Sequence, residues 1–229
     1  MTTFVLIHGA YQGGWIWKPV VEQLIAKGHR VLAPTLDGCA ERKGQVRAGI
    51  TTESHAEEVA GLLFYEDLKD VVLAGTSTGG MVMARAAELA SERVARVVFA
   101  DALALLDGEA LPDIVKRPTA INTELTSGPS RHDFETRLFA DLEPATRAWA
   151  IERCTMHPIA PMTQPVRLER FWQQSWNASV IWCKRSTNPP VAHQRRACER
   201  LKGRWHELDT GHYPMLSEPA ALARLIAEG

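Results

Sequence analysis

Features that this sequence lacks narrow the range of its functions. The formal net charge is −1 at pH 7, because 26 basic side chains nearly balance 27 acidic ones. Such a balance provides no electrostatic attraction for nucleic acid or an anionic membrane. No apolar run approaches the ~18 residues of a membrane span, and the N-terminus has no basic segment before its short apolar run. We therefore expect neither a transmembrane helix nor a signal peptide, and no nucleic-acid or membrane partner.

Cysteine is also scarce. The four cysteines lie far apart, without CxxC spacing: Cys39, Cys154, Cys183 and Cys198. Thiolate metal sites usually need closely spaced pairs, so we expect no metal and no other cofactor. Free thiols are typical of a reducing cytoplasm, which is the expected location. The oligomeric state is left open, with a homodimer as one alternative.

The 229 residues, 45% of them hydrophobic, suffice for one sizeable domain. Short apolar runs alternate with segments of helical periodicity up to residue 105 and again from residue 176. Six strands are predicted, in the segments "TFVLIHG", "RVLAPTLDG", "DVVLAGT", "VARVVFADAL", "ASVIWCKR" and "RWHELDTG". Because these strands are almost continuously apolar, we expect a mainly parallel, doubly wound α/β sheet with helices on both faces.

The alternation breaks between residues 106 and 175, where no clear strand pattern is present. Amphipathic helices are predicted in the segments "RHDFETRLFADL", "EPATRAWAIERC" and "PVRLERFWQQ". Prolines separate these helices, at positions 112, 118, 129, 144, 158, 161 and 165. The expected organisation is a core of residues 1–105 and 176–229 with a helical cap, residues 106–175, inserted after the fourth strand.

A GxSxG motif, Gly75 to Gly79, lies between a predicted strand and a predicted helix. In that context the turn is too tight for flanking side chains, and the central serine is held in a strained conformation with its hydroxyl outward. The alternative is a glycine-rich turn in which Ser77 only caps the helix. The strand–turn–helix context favours Ser77 as a nucleophile.

A serine nucleophile needs a base and an acid that orients it. His212 follows the last predicted strand, and the loops after parallel strands share one edge of the sheet, so His212 can meet Ser77 there. Asp101 ends the strand after Ser77 and is the expected acid; a purely structural turn cap is the alternative. Asp209, close to His212 in sequence, is expected to point away.

The loop after the first strand, "HGAYQGGWIW", is the natural source of an oxyanion hole. The backbone N–H groups of Ala10 and Thr78 are the candidate donors. Tyr11 and Trp15 are candidate substrate contacts, whereas Trp17 is expected in the core. Five cap aromatics are candidates for pocket lining or for ordinary core packing: Phe134, Phe139, Trp149, Phe171 and Trp172.

The sequence context also suggests a position for each of the other histidines. His8 precedes a tight turn and is expected to form structural hydrogen bonds, and His55 is expected at a helix start or in the core. His132 and His157, in the cap, are candidate substrate contacts. Three more are expected on solvated surfaces: His29, His193 and His206. The basic run from Lys184 to Arg204 is interpreted as a solvated helix face.

The segments "HGAYQGGWIW", "APTLDGCAER", "GTSTGG" and "GHYPMLSEP" together resemble the α/β-hydrolase superfamily. They are most similar to its small esterase branch, which includes plant salicylate methyl-esterases and hydroxynitrile lyases. The resemblance spans nearly the whole chain outside residues 106–175. It implies Ser77 as nucleophile, His212 as base, Ala10 and Thr78 as oxyanion donors, and a helical cap over the site.

Two positions depart from that branch. Thr76 stands where the branch often has histidine, and Ser186 stands where it usually carries the acid. Other branches place the acid after the strand that follows the nucleophile, where this chain has Asp101. A Ser77–Asp101–His212 triad is therefore expected, with a slower Ser77–His212 dyad as the alternative.

The leading functional hypothesis is a serine esterase acting on a small, largely apolar ester through an acyl-enzyme. Hydrolysis of a carbamate or an amide would use the same attack. Non-hydrolytic alternatives on this fold are a hydroxynitrile lyase, for which Lys184 is a candidate residue, a cofactor-free oxygenase, and a ligand receptor without turnover.

Overall fold

The computed structural model describes residues 1–116 and 120–228. Its strands are β1 Thr3–Ile7, β2 Arg30–Leu32, β3 Val71–Ser77, β4 Val94–Ala102, β5 Ala120–Asn122, β6 Thr126–Pro129, β7 His157–Pro158, β8 Ala178–Cys183 and β9 Arg204–Leu208. Its α-helices are α1 Lys18–Ala26, α2 Thr52–Tyr65, α3 Gly79–Leu89, α4 Leu111–Ile114, α5 Arg131–Asp133, α6 Pro144–Ile151, α7 Val191–Leu201, α8 Pro214–Ser217 and α9 Pro219–Glu228. Pro118, expected as a helix separator, lies outside the described residues.

Six strands form one sheet in the order β2-β1-β3-β4-β8-β9. Every pairing in this sheet is parallel, so the carboxyl ends of all six strands lie at one edge. The central strand β3 is buried from Val71 to Thr76, as its unbroken apolar run predicts for a strand covered on both faces. The doubly wound α/β sheet predicted from the sequence is thus confirmed.

The helices that flank the sheet begin at local signals. At the start of α2, the Thr51 hydroxyl accepts a bond from the Ser54 N–H (3.1 Å), and the Ser54 hydroxyl accepts one from the Thr51 N–H (2.9 Å). This reciprocal pair satisfies two amide donors that have no partner within the helix. The helix α3 follows the GxSxG turn directly, so its N-terminus is aimed at the carboxyl edge of the sheet.

The expectation that residues 106–175 hold no strand is wrong. Strands β5, β6 and β7 form a small antiparallel sheet in the order β5-β6-β7. A turn closes the β5–β6 hairpin, where Thr123 N–H donates to the Thr126 carbonyl (2.8 Å). The sequence conceals these strands because segments of two to four residues are too short to show an alternating pattern.

Only one of the three predicted cap helices forms as an α-helix of more than one turn. The helix α6 forms where the segment "EPATRAWAIERC" predicts it. The segment "RHDFETRLFADL" gives the short α5 and a single π-helical turn, Phe134–Leu138. The third segment gives only a 3₁₀ turn, Phe171–Gln173. We use the word cap for residues 106–175, although it contains strands as well as helices.

A buried ion-pair cluster links α3, the helix after the GxSxG turn, to the end of the cap. Arg85 on α3 forms two hydrogen bonds with Glu53 of α2 and one with Glu88, all at 2.7–2.8 Å. The second carboxylate oxygen of Glu88 accepts the backbone N–H of Phe171 (2.9 Å). Because Glu88 is almost fully buried, these partners replace the water that its charge has lost.

Candidate active site

Ser77 ends β3 in a left-handed conformation, with φ of 51°. A Cβ added to Gly75 would lie 2.7 Å from the Gly79 carbonyl oxygen, and one added to Gly79 would lie 2.5 Å from the carbonyl oxygens of Ile7 and His8. Both distances are too short for any side chain, so Gly75 is required by the turn itself and Gly79 by the close approach of residues 7 and 8 at the end of β1. The sharp turn projects Ser77 out of the sheet.

Asp101 and His212 meet at the same edge. Asp101 Oδ2 lies 2.6 Å from His212 Nδ1, and the Asp101 side chain is fully buried. Asp101 also has a positive φ, 46°, near the end of β4. This bond directs the other ring nitrogen, Nε2, away from the buried carboxylate, and both His212 and Ser77 line one cavity. Ser77 ends β3 and Asp101 lies near the end of the adjacent strand β4, whereas His212 follows β9, which is separated from β4 by β8.

Two N–H groups hold the second oxygen of the Asp101 carboxylate. The side-chain amide nitrogen of Gln194, in α7, donates to Asp101 Oδ1 at 2.8 Å. The backbone N–H of Cys183, at the end of β8, donates to the same oxygen at 3.3 Å. An ionised carboxylate without exposure to water needs such donors.

The strand end that carries the acid in the resembled esterase branch holds no acid here. Ser186 lies in that loop, and its hydroxyl donates to the Asn188 carbonyl (3.1 Å). Asp209 lies at the end of the last strand, as expected, with its side chain 77% exposed and 3.6 Å from Arg185. Asp101 is therefore the carboxylate that the described residues place against His212.

The loop after β1 lies against Ser77. A Cβ added to Gly9 would lie 2.7 Å from the Cβ of Ser77, so only glycine permits this approach. The next residue, Ala10, and the residue after Ser77, Thr78, both line the cavity beside Ser77. Their backbone N–H groups remain the predicted donors of an oxyanion hole.

The cavity has a volume of about 460 Å³, in the range of small-molecule sites. Apolar side chains from the core and the cap supply much of its wall: Ala10, Tyr11, Leu103, Leu111, Val115, Leu138, Met162 and Tyr213. Ser77 and His212 lie among them. The arrangement suits a largely apolar molecule whose one reactive group meets Ser77.

Charged side chains reach the same cavity. Three are cationic, Lys116, Arg137 and Arg185, and one is the anionic Asp141. Arg137 pairs with Asp133 (3.2 Å), and Arg185 pairs with Asp209 (3.6 Å). The carboxylate of Asp141 lies against Gly211, the residue before His212, and a side chain at Gly211 would collide with it.

Some predicted substrate contacts lie elsewhere. Tyr11 lines the cavity, but Trp15 does not: it packs edge-on against Trp149 of the cap, with ring centroids 5.3 Å apart. Trp17 is fully buried, as expected. None of the five cap aromatics, which were candidates for pocket lining or for core packing, is among the lining residues. Three of the five are buried in the hydrophobic core instead: Phe134, Phe139 and Phe171.

The expectation of a solvated His193 is wrong, because α7 turns this side chain inward, where Nε2 accepts the Ala104 N–H (2.9 Å). Burial lowers the pKa of His193 to about 4. His8 is buried as well, and burial lowers its pKa to about 4. Its Nδ1 faces the Gly9 carbonyl (2.8 Å) while Nε2 accepts the Leu36 N–H (3.0 Å), so its role is structural, as predicted.

His55 is buried, and its Nε2 donates to the Asp37 carbonyl (2.9 Å), in line with the expected core position. His29 and His206 are half-buried rather than fully solvated. His157 is buried beside the Cys39 thiol (3.4 Å) and, like the exposed His132, does not line the cavity. Burial raises the pKa of the Cys39 thiol to about 12. Neither cap histidine is therefore placed to contact a substrate in that cavity.

Several site residues were missed by sequence reasoning. Gln194 lies inside the basic run that was interpreted as a solvated helix face, and no motif marks it. Asp141, Lys116 and Arg137 come from the cap, whose sequence has no clear periodic pattern.

The described residues hold no cluster of three or more metal-ligating side chains. Within the same part of the chain, no helix combines the length and the apolar character needed to span a membrane.

Comparison with known proteins assigns the family. Residues 4–225 match the model of the alpha/beta hydrolase family. The chain is 31% identical to Methylesterase 3 of Arabidopsis thaliana, over 98% of this chain and 94% of that protein. It is 30% identical to the carbendazim hydrolyzing esterase of Nocardioides sp. (strain SG-4G), over 73% of this chain and 74% of that protein.

The fold is shared with solved structures as well. An extracellular alpha/beta-hydrolase from a Paenibacillus species superimposes with a TM-score of 0.85 and 23% identity, covering 100% of this chain and 98% of that one. The likeness at that identity concerns the fold. From the match over nearly all of its length, the chain belongs to the alpha/beta hydrolase family.

Proposed function

We propose that the protein hydrolyses a small, largely apolar carboxylic ester with Ser77 as nucleophile, His212 as base and Asp101 as the acid that orients the base. The chain is an esterase-type hydrolase, as its relatives are. The observation that carries the proposed machinery is the 2.6 Å bond between Asp101 and His212 at the cavity that also holds Ser77. We place this activity in the cytoplasm because all four cysteines are free thiols.

The chemistry follows from these positions. Ser77 Oγ attacks the ester carbonyl while its proton passes to Nε2 of His212, and the Asp101 carboxylate stabilises the imidazolium. The N–H groups of Ala10 and Thr78 bind the oxyanion. His212 then protonates the departing alcohol, which leaves an acyl group on Ser77. Water, deprotonated by His212, attacks the acyl group and releases the carboxylic acid.

Hydrolysis of p-nitrophenyl esters from acetate to octanoate tests this proposal. We expect turnover in the wild type, a profile against chain length that reflects the cavity of about 460 Å³, and loss of turnover in Ser77→Ala. A fluorophosphonate should modify Ser77 and not Ser186, the other serine of the cavity, and mass spectrometry identifies the labelled peptide. Turnover that survives in Ser77→Ala would overturn the assignment.

Carbamate hydrolysis is the second candidate. One relative is named for hydrolysis of carbendazim, and the cavity of this chain holds a carboxylate, Asp141, beside the residue that precedes His212. A carbamate differs from an ester by an N–H group next to the scissile carbonyl, and a carboxylate is the acceptor that such a donor would favour.

The two candidates are separated by paired substrates. A phenyl N-methylcarbamate and phenyl acetate differ mainly in that N–H group, and Asp141→Ala removes the carboxylate. If the carbamate is the better substrate, the substitution should raise its KM by about tenfold and leave the ester unaffected. Equal effects on both substrates would favour the ester.

The oligomeric state is a separate question. Sedimentation of the purified protein distinguishes a monomer from the alternative of a homodimer.

A further inference from the structure

The side chain of Gln194 is buried, and it forms a hydrogen bond with Asp101 at the carboxyl edge of the sheet. It is 1% exposed and projects from the first turn of α7. Its amide nitrogen donates to Asp101 Oδ1 (2.8 Å) and to the Pro189 carbonyl (3.1 Å). An amide group carries two N–H donors, so both bonds form at once.

The orientation of this amide is determined by its neighbours. Asp101 Oδ1 and the Pro189 carbonyl are both acceptors, so the reversed amide would place an oxygen against two oxygens. The other atom of the amide, Oε1, is buried and makes no hydrogen bond with the described residues. A buried acceptor without a partner is destabilising, so the favourable contribution of this side chain comes from its two donors.

The two carboxylate oxygens of Asp101 thus have separate partners. Oδ2 binds His212, and Oδ1 is held by Gln194 and, at the longer distance of 3.3 Å, by the Cys183 N–H. A carboxylate can rotate about its last side-chain bond, and a donor on Oδ1 opposes that rotation. Gln194 also fixes Pro189, and residues 185–189 line the cavity.

We infer that Gln194 is a positioning residue of the hydrolytic site: it orients and stabilises the Asp101 carboxylate and connects it to the cavity loop, residues 185–189. The inference rests on the proposed Ser77–His212–Asp101 function. It accounts for an acid at the end of β4, since α7 and β8 must then supply the donors for a carboxylate that no water reaches.

Two substitutions at position 194 test the inference. Gln194→Met keeps the length of the side chain and removes both donors, and we expect kcat to fall by about tenfold or more, because a hydrogen bond to a charged group is lost, with KM nearly unchanged. Cys198→Ala is the matched control: it removes a part-buried hydrogen bond one turn further along α7, to the Gly203 carbonyl (3.2 Å), and that bond does not involve Asp101. The control should keep the wild-type kcat.

Gln194→Glu tests the role through the pH dependence of activity, which would not change if Gln194 were only a structural residue. While protonated, the introduced carboxyl donates to Asp101 Oδ1 as the amide does. Once ionised, it repels Asp101. A buried carboxyl beside another carboxylate loses its proton well above the usual pH, about pH 6–8, so the activity of this variant should fall across that range while the wild-type activity does not.

The outcomes separate the two proposals. Wild-type kcat in Gln194→Met together with a wild-type pH profile in Gln194→Glu would overturn the role of Gln194 and leave the triad intact. Turnover that persists in Ser77→Ala would overturn the triad itself. If Gln194→Met does not fold, the pH profile of Gln194→Glu, normalised by fluorophosphonate titration of active sites, still decides the matter.

Discussion

The carboxyl edge of the sheet and the cap above it hold their side chains by different means. At the edge, Ser77 and Asp101 have left-handed backbones, and the Asp101 side chain is fully buried with three hydrogen-bond donors around it. In the cap, the Arg131–Glu135 pair is typical, with side chains that are 67% and 43% exposed. The edge is therefore held by buried hydrogen bonds, whereas much of the cap surface is held by weak, solvent-screened contacts.

This difference suggests that one region carries the catalytic groups and the other determines which substrate binds. The groups proposed to carry the reaction lie on strand ends, where packing of the sheet determines their positions. Many of the side chains that would select a substrate come from short cap elements, among them Leu138, Arg137 and Asp141. Substitutions at the edge should abolish activity without altering selectivity, and substitutions on the cap surface should have small effects.

The largest effect is expected at Asp101. Asp101→Asn keeps the shape of the side chain but removes the charge that stabilises the imidazolium, so kcat should fall by more than about 1,000-fold. Asp209→Asn, an exposed change after β9 at the same edge of the sheet, should keep kcat within about twofold. Steady-state kinetics on a p-nitrophenyl ester measure both. More than a tenth of the wild-type rate in Asp101→Asn would assign the acid elsewhere.

The second largest effect is expected at Glu88, which joins the cap to α3 through its hydrogen bond with the Phe171 N–H. Glu88→Ala removes a buried carboxylate and leaves the Phe171 N–H and part of Arg85 without partners, so the free energy of unfolding should fall by about 3 kcal/mol. Glu169→Ala, an exposed change in the cap, should alter it by less than about 0.5 kcal/mol. Urea titrations give both values, and equal losses would show that the buried cluster is unimportant.

Acid should destabilise the core more than the cap. Because burial lowers the pKa of His8 and His193 from 6.5 to about 4, the unfolded chain binds more protons than the folded one between those pH values. Stability is thus lost as the pH falls below 6.5, by about 2 kcal/mol per histidine on reaching pH 5. His193→Gln should reduce this pH dependence, and His132→Gln, exposed in the cap, should not. Urea titrations at pH 7 and pH 5 make the measurement.

The smallest effect is expected on the cap surface. Arg131→Ala removes the exposed pair with Glu135, and the free energy of unfolding should change by no more than about 0.5 kcal/mol. The activity on each ester of the chain-length series should equal that of the wild type. A loss as large as that from Glu88→Ala would contradict the distinction drawn between the two regions.

The sheet of the core, and the edge at which the candidate residues meet, were predictable because strands and the serine turn have local signatures. Continuous apolar runs mark buried parallel strands, and parallel strands bring their carboxyl ends together, so Ser77, Asp101 and His212 were expected at one edge. The cap strands escaped prediction, since two to four residues carry no periodicity. Residue type alone suggests Trp15 as a substrate contact and leaves the cap aromatics open between pocket lining and core packing, and the tertiary packing places all of them outside the cavity.

The sequence by itself determined the parallel sheet, the tight serine turn and the order of the proposed triad, because glycine spacing and apolar runs act within a few residues. Only the tertiary structure decided that Asp101 lies against His212, that Gln194 turns inward from a basic helix, and which cap side chains reach the cavity. These contacts join residues about a hundred positions apart, such as Asp101 and His212 or Asp101 and Gln194. Their partners are chosen by how whole elements pack, which no local pattern of residues encodes.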